Sequence, residues 1–231
     1  MNKRIGILPI LAFLSAGSAA SPQVDLARRP DQHGSHVVPL QVVSKLATDK
    51  RFEIVSGDPA TPGAPFVIRI HAEAGYVIMP HTHEVDENIV VLKGSWALGM
   101  GTHFNRDALE PMEVGDYGFA AGNMVHFAWS KTATIIQVHG IGPFATRWLV
   151  PLYELTGQGV LLKTSASDPG RPVPAEPAGC FAWKAGDRVQ GVEGRGVILG
   201  AQCTPGQLTQ YRVEKPDGTL FWAQRDELKT P

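Results

Sequence analysis

Residues 38–164 alternate short apolar runs with turn signals. Phe66–His71, Asn88–Leu92, Ser95–Met100 and Thr134–His139 are rich in branched and aromatic side chains, the composition of strands with a buried face. Lys93-Gly94 and Gly57-Asp58-Pro59 supply tight turns between such runs. Short strands at regular spacing predict a β-sandwich or barrel. One helix is expected near the front, over residues 40–50. Residues 21–37 are polar, aperiodic and interrupted by Pro22, Pro30 and Gly34, and read as a flexible arm. Residues 165–179 carry four prolines, which predicts a stiff, extended linker. A second β-rich block follows over 180–231, with runs at Gly196–Gly200, Leu208–Val213 and Leu220–Ala223 and a Pro216-Asp217-Gly218 turn. The expected fold class is therefore mostly β: a sandwich or barrel, a linker and a small second β-rich block.

The first twenty residues stand outside this pattern. Lys3 and Arg4 precede an almost wholly apolar run, Ile5–Ala16, and small residues follow, with Ser18 and Ala20 placed for a cut before Ser21. That is the layout of a secretory signal peptide. The run is too short to span a bilayer, which takes roughly 20 apolar residues, and no later segment is as apolar. The expected location is periplasmic or secreted. Export changes the reading of the two cysteines, since Cys180 and Cys203 can pair in an oxidising compartment. The loop they close has about 24 residues, worth roughly 3 kcal/mol in the chain-entropy model. A block of some fifty residues has a thin core, so a cross-link there makes physical sense.

Composition narrows the function classes. The 231 residues carry 21 Lys and Arg against 22 Asp and Glu, a formal net charge of −1. Such a balance speaks against a general nucleic-acid binder, which shows a basic excess or stripe. Glycine (25) and proline (18) are plentiful, favouring turns over long helices.

The chemistry concentrates in Gly75–Gly94 and Gly115–His126. His81 and His83 are two residues apart, so on a strand their imidazoles share a face. Glu84-Val85-Asp86 can turn the chain and return Glu87 on the next strand, with Ile89 and Val91 on its face. His126 can close the site from an adjacent strand. Three imidazoles and one carboxylate suit one divalent first-row metal: iron, manganese, nickel, copper or zinc. Glu84 and Asp86 flank the set, either as orienting groups or as surface charges. His71 and His139 read as structural strand histidines, and His103 sits by a turn.

The stretch Gly75–Gly94 resembles the first motif of the cupin superfamily, Gly, five residues, His-x-His, three residues, Glu, six residues, Gly, at every fixed position. The second motif keeps Gly115 and His126 but has Ala121 for the usual Pro, Asn123 for the usual Gly and Ser130 for the usual Asn. Asn tolerates the left-handed backbone that Gly supplies, and the lost Pro removes no ligand. The phrases Gly63–Phe66, Gly101–Phe104, Met124–Phe127 and Gln137–Phe144 are similar to exported single-cupin proteins of the quercetin dioxygenase-like group. The resemblance covers roughly residues 38–150. It implies a double-stranded β-helix with His81, His83, Glu87 and His126 as metal ligands and Glu87 as a possible proton acceptor. It also implies a small-molecule substrate and, in many cupins, a homodimer. The last block is similar to a small SH3-like barrel, serving either as a peptide-binding module or as a docking domain over the cupin mouth. The leading function is an exported metalloenzyme of the dioxygenase or oxidoreductase type. A non-catalytic metal-dependent binding or sensing protein is the alternative, and a metal-dependent isomerase or hydrolase the second.

Overall fold

The computed structural model describes Leu40 and residues 52–157, 159–163 and 179–231. The expected signal peptide, arm, early helix and proline-rich linker lie outside the described residues, save Leu40 and Gly179. Among the described residues no helix is long and apolar enough to cross a membrane.

The first ten strands are β1 (Phe52–Gly57), β2 (Pro65–Ala72), β3 (Val77–Thr82), β4 (Glu87–Lys93), β5 (Trp96–Met100), β6 (Leu109–Met112), β7 (Tyr117–Ala120), β8 (His126–Ser130), β9 (Thr134–Ile141) and β10 (Arg147–Trp148). They form two antiparallel five-stranded sheets, β1-β2-β9-β4-β7 and β10-β3-β8-β5-β6. Within them β2 pairs with β9, β3 with β8, β4 with β7 and β5 with β6. Each of the strands β2 to β9 thus meets the one equally far from the middle of the segment, as in a long hairpin rolled on itself. That is a jelly-roll, or double-stranded β-helix. Period-two burial explains why these sequences take strand form. Phe66, Ile68, Ile70 and Ala72 of β2 and Ile89 and Val91 of β4 point into a core shared with Trp96, Leu98, Ile136 and Val138.

A third sheet, β12-β11-β14-β15-β16 with β13 also on β14, completes the molecule. Its strands are β11 (Leu152–Thr156), β12 (Gly159–Lys163), β13 (Arg188–Gly191), β14 (Gly194–Cys203), β15 (Thr209–Glu214) and β16 (Leu220–Gln224). Residues 152–163, read from the sequence as the end of the first barrel, form β11 and β12; β12 pairs with β11, and β11 pairs with β14, with Glu154 opposite Gln202. Strand pairing is non-local, and periodicity names a strand without naming its neighbour.

This sheet has two distinct faces. One buries Tyr211, Val213, Phe221, Ala223 and Ile198 in a second core with Val189 and Leu228. Cys180 and Cys203 form a disulfide beside Tyr153, with Cα atoms 5.8 Å apart. The other face meets the barrel. Trp222 enters the barrel core beside Tyr76 and donates its indole N–H to Glu73. Arg212 forms a bidentate ion pair with the same carboxylate. Fully buried Gln210 bonds both the N–H (3.0 Å) and the C=O (2.7 Å) of Val77. β10 pairs with β3 only at Thr82 and His81, so Gln210 satisfies edge groups farther along the same strand. Gly75 is needed here: its φ is +78°, and a Cβ would sit 2.0 Å from the Trp222 carbonyl oxygen.

Candidate metal centre

His81 lies near the end of β3, directly opposite His126 at the start of β8. His83 follows β3, and Glu87 opens β4 in the facing sheet. The crossing between sheets is fixed by two side chains. Asp86 accepts a hydrogen bond from Gly122 N–H at 2.8 Å, and Glu84 pairs with Arg147. The two flanking acids therefore hold the loop, and neither orients an imidazole. Asn123 takes the left-handed backbone its position requires, at φ +64°, and its N–H donates to the His83 carbonyl at 2.7 Å.

Each histidine is oriented by a backbone carbonyl. His81 Nδ1 lies 2.7 Å from Met79 O, His126 Nδ1 3.0 Å from Met124 O, and His83 Nδ1 3.0 Å from Ala145 O. A carbonyl oxygen only accepts, so Nδ1 carries the hydrogen and Nε2 keeps its lone pair. One ligand nitrogen from each ring lies within 4.8 Å of the others. Glu87 Oε2 is 3.1 Å from His126 Nε2 and 3.7 Å from His83 Nε2. All four residues are at most 5% exposed.

The donor set fits a cation. His126 Nε2 is buried without a hydrogen bond. Among the described residues no Lys or Arg pairs with buried Glu87, and a buried carboxylate demands positive charge. Burial pushes the pKa of His81 well below the ordinary value, helped by His126 and His83. Burial also lowers that of His83, against the pull of Glu87 and the Ala145 carbonyl. Neutral imidazoles are what metal ligation needs. Burial alone would lower His126 too, but the Glu87 carboxylate and the Met124 carbonyl outweigh it and raise its pKa.

The cluster opens on a cavity of about 400 Å³ walled by Ile70, Ile78, Ile89, Leu98, Ile136 and Trp148. Phe144 stacks on His83 at 4.0 Å, and the Trp148 ring centroid lies 5.3 Å from that of His81. Trp96 also lines the cavity, whereas Phe127 packs on Phe104, Trp129 lies under Arg106, and Phe119 is exposed. His71 faces Glu53 on β1, at 3.4 Å.

No family model and no curated protein sequence matches the chain. Solved structures do. KdgF from a Halomonas species is 18% identical, over 42% of this chain and 84% of that one, with a TM-score of 0.33. The DMSP lyase DddQ from Ruegeria pomeroyi is 19% identical over 46% of this chain and 56% of that one, with a TM-score of 0.37. A sugar phosphate isomerase of the cupin superfamily from Silicibacter pomeroyi is 20% identical over 57% of this chain and 97% of that one, with a TM-score of 0.34. The lyase and isomerase reactions so named are those of the latter two proteins. For this chain, the fold rests on its own strand order and the site on its own side chains.

Proposed function

We propose that the protein is an exported, metal-dependent enzyme acting on a small organic molecule, of the dioxygenase-like oxidoreductase type. One observation carries the reading: three buried imidazoles, each held at Nδ1 by a backbone carbonyl, gather at an apolar cavity. A bound divalent ion supplies Lewis acidity and, if it is iron, manganese, nickel or copper, a redox couple for dioxygen chemistry. His81, His83 and His126 hold that ion, and Glu87 completes the set. Beside His126, Glu87 is also placed to take a proton from a ligand in the cavity. The apolar walls exclude water and strengthen each of these interactions. Export follows from the leader-like first twenty residues and accords with the Cys180–Cys203 disulfide. The 180–231 block is read as the small SH3-like barrel, docked on the cupin rather than presenting a peptide groove.

Elemental analysis with oxygen-uptake measurements on candidate substrates tests the proposal. Iron, manganese, nickel or copper with substrate-dependent oxygen uptake supports it. Zinc without oxygen uptake moves the chemistry to an isomerase or hydrolase, and tight retention of an unchanged ligand makes this a binding protein.

A further inference from the structure

The third sheet does more than close the barrel. Leu152, Glu154 and Thr156 of β11, Gly200 and Gln202 of β14, and Arg212 of β15 line the same cavity as the histidines. Alternation explains this: the side chains share one face of the sheet, with Glu154 opposite Gln202 and Gly200 opposite Arg212. The cavity therefore has a polar wall from the C-terminal sheet, in addition to the metal-binding cluster.

Two residues distinguish that wall. Arg212 is held by Glu73 in a bidentate pair. Gln202, only 8% exposed, donates its amide to Glu154 at 2.9 Å. Its Oε1 has no hydrogen-bond partner among the described residues. That oxygen is not among the buried polar atoms left unpaired, so it stays open to the cavity that Gln202 lines. Lining a cavity, it is an acceptor ready for a ligand's donor.

We infer that Gln202, supported by Glu154, is a specificity-determining subsite for the hydroxyl or amide end of an elongated, mostly apolar ligand. The opposite, oxygen-bearing end reaches the histidine cluster. This rests on the small-molecule reading above and adds the ligand's class: a chelating oxygen head, an apolar body, and a neutral hydrogen-bond donor at the far end. An anionic tail is disfavoured by the Glu154 carboxylate.

Matched pairs of probes test this: straight-chain carboxylic acids of six to twelve carbons and their ω-hydroxy counterparts. Binding is measured by calorimetry on the full chain, with and without Mn²⁺. At one or more lengths the ω-hydroxy acid should bind about tenfold more tightly than the plain acid, the worth of one buried hydrogen bond. Gln202→Leu should erase that preference, with far-ultraviolet circular dichroism reporting that the variant is folded. Gln202→Met, similar in length and without the amide, serves as a second variant. Equal affinity within every pair, no binding by any acid, or a preference that survives both substitutions would overturn the subsite. Failure of the metal reading shows separately, as affinities indifferent to Mn²⁺. A hydroxyl preference lost on substitution supports Gln202 in that case too.

Discussion

At the scale of single residues, the site is built by local carbonyls. His81 and His126 each bond the carbonyl two residues earlier, on Met79 and Met124. The same device on paired strands fixes both tautomers without a charged partner, and only His83 reaches across the chain, to Ala145. Such orientation of the second ring nitrogen is what metal-ligating histidines need. In the proposed ligand set Glu87 is the one carboxylate. Glu87→Gln should weaken divalent-metal affinity by at least the roughly tenfold that even outer-shell partners are worth. Competition against a chromophoric chelator measures this, and an unchanged constant would remove Glu87 from the ligand set.

At the scale of elements, the jelly-roll was legible in strands such as β1 and β4, whose burial alternates, so that a period of two survives in the sequence. Gly75–Gly94 even showed the crossing between sheets, since Glu84-Val85-Asp86 is too short and polar to continue a strand. The partnership of β11 with β14 was not legible. Leu152–Thr156 alternates as any half-buried strand does, and only register with Ala201–Cys203 names its sheet. Gln210 was missed as well. It sits in a run buried on both faces, Thr209–Glu214, yet nothing in its type announces that it will cap the edge of β3. Gln210→Leu should leave the Val77 N–H and C=O unpaired and cost about 1–3 kcal/mol. Urea denaturation would read the loss, and a change under about 0.5 kcal/mol, typical of exposed sites, would deny Gln210 that role.

For the molecule as a whole, barrel and third sheet share a core through Trp222. Trp222→Ala should cost about 3–5 kcal/mol, and barrel and third sheet should unfold in one transition whether followed by fluorescence or by far-ultraviolet circular dichroism. Two resolved transitions would mean that the docking is weak. The disulfide was foreseen from the compartment logic of an exported chain, and the structure has it. Thiol titration of denatured, unreduced protein from its own compartment should therefore find no free thiol, whereas two reactive thiols would remove the bridge. The shared cavity was beyond the sequence, because its walls come from strands more than a hundred residues apart, such as Ile78 and Gln202.

The most direct measurement is the metal content of protein purified without chelators, by elemental analysis of the wild type and of the His81→Ala/His83→Ala double variant. The account predicts about one divalent ion per chain in the wild type and none in the double variant, with the β-sheet circular dichroism of the two superimposable. Full occupancy in the double variant, or a wild type that takes up no ion when offered iron, manganese, nickel, copper or zinc, would contradict it.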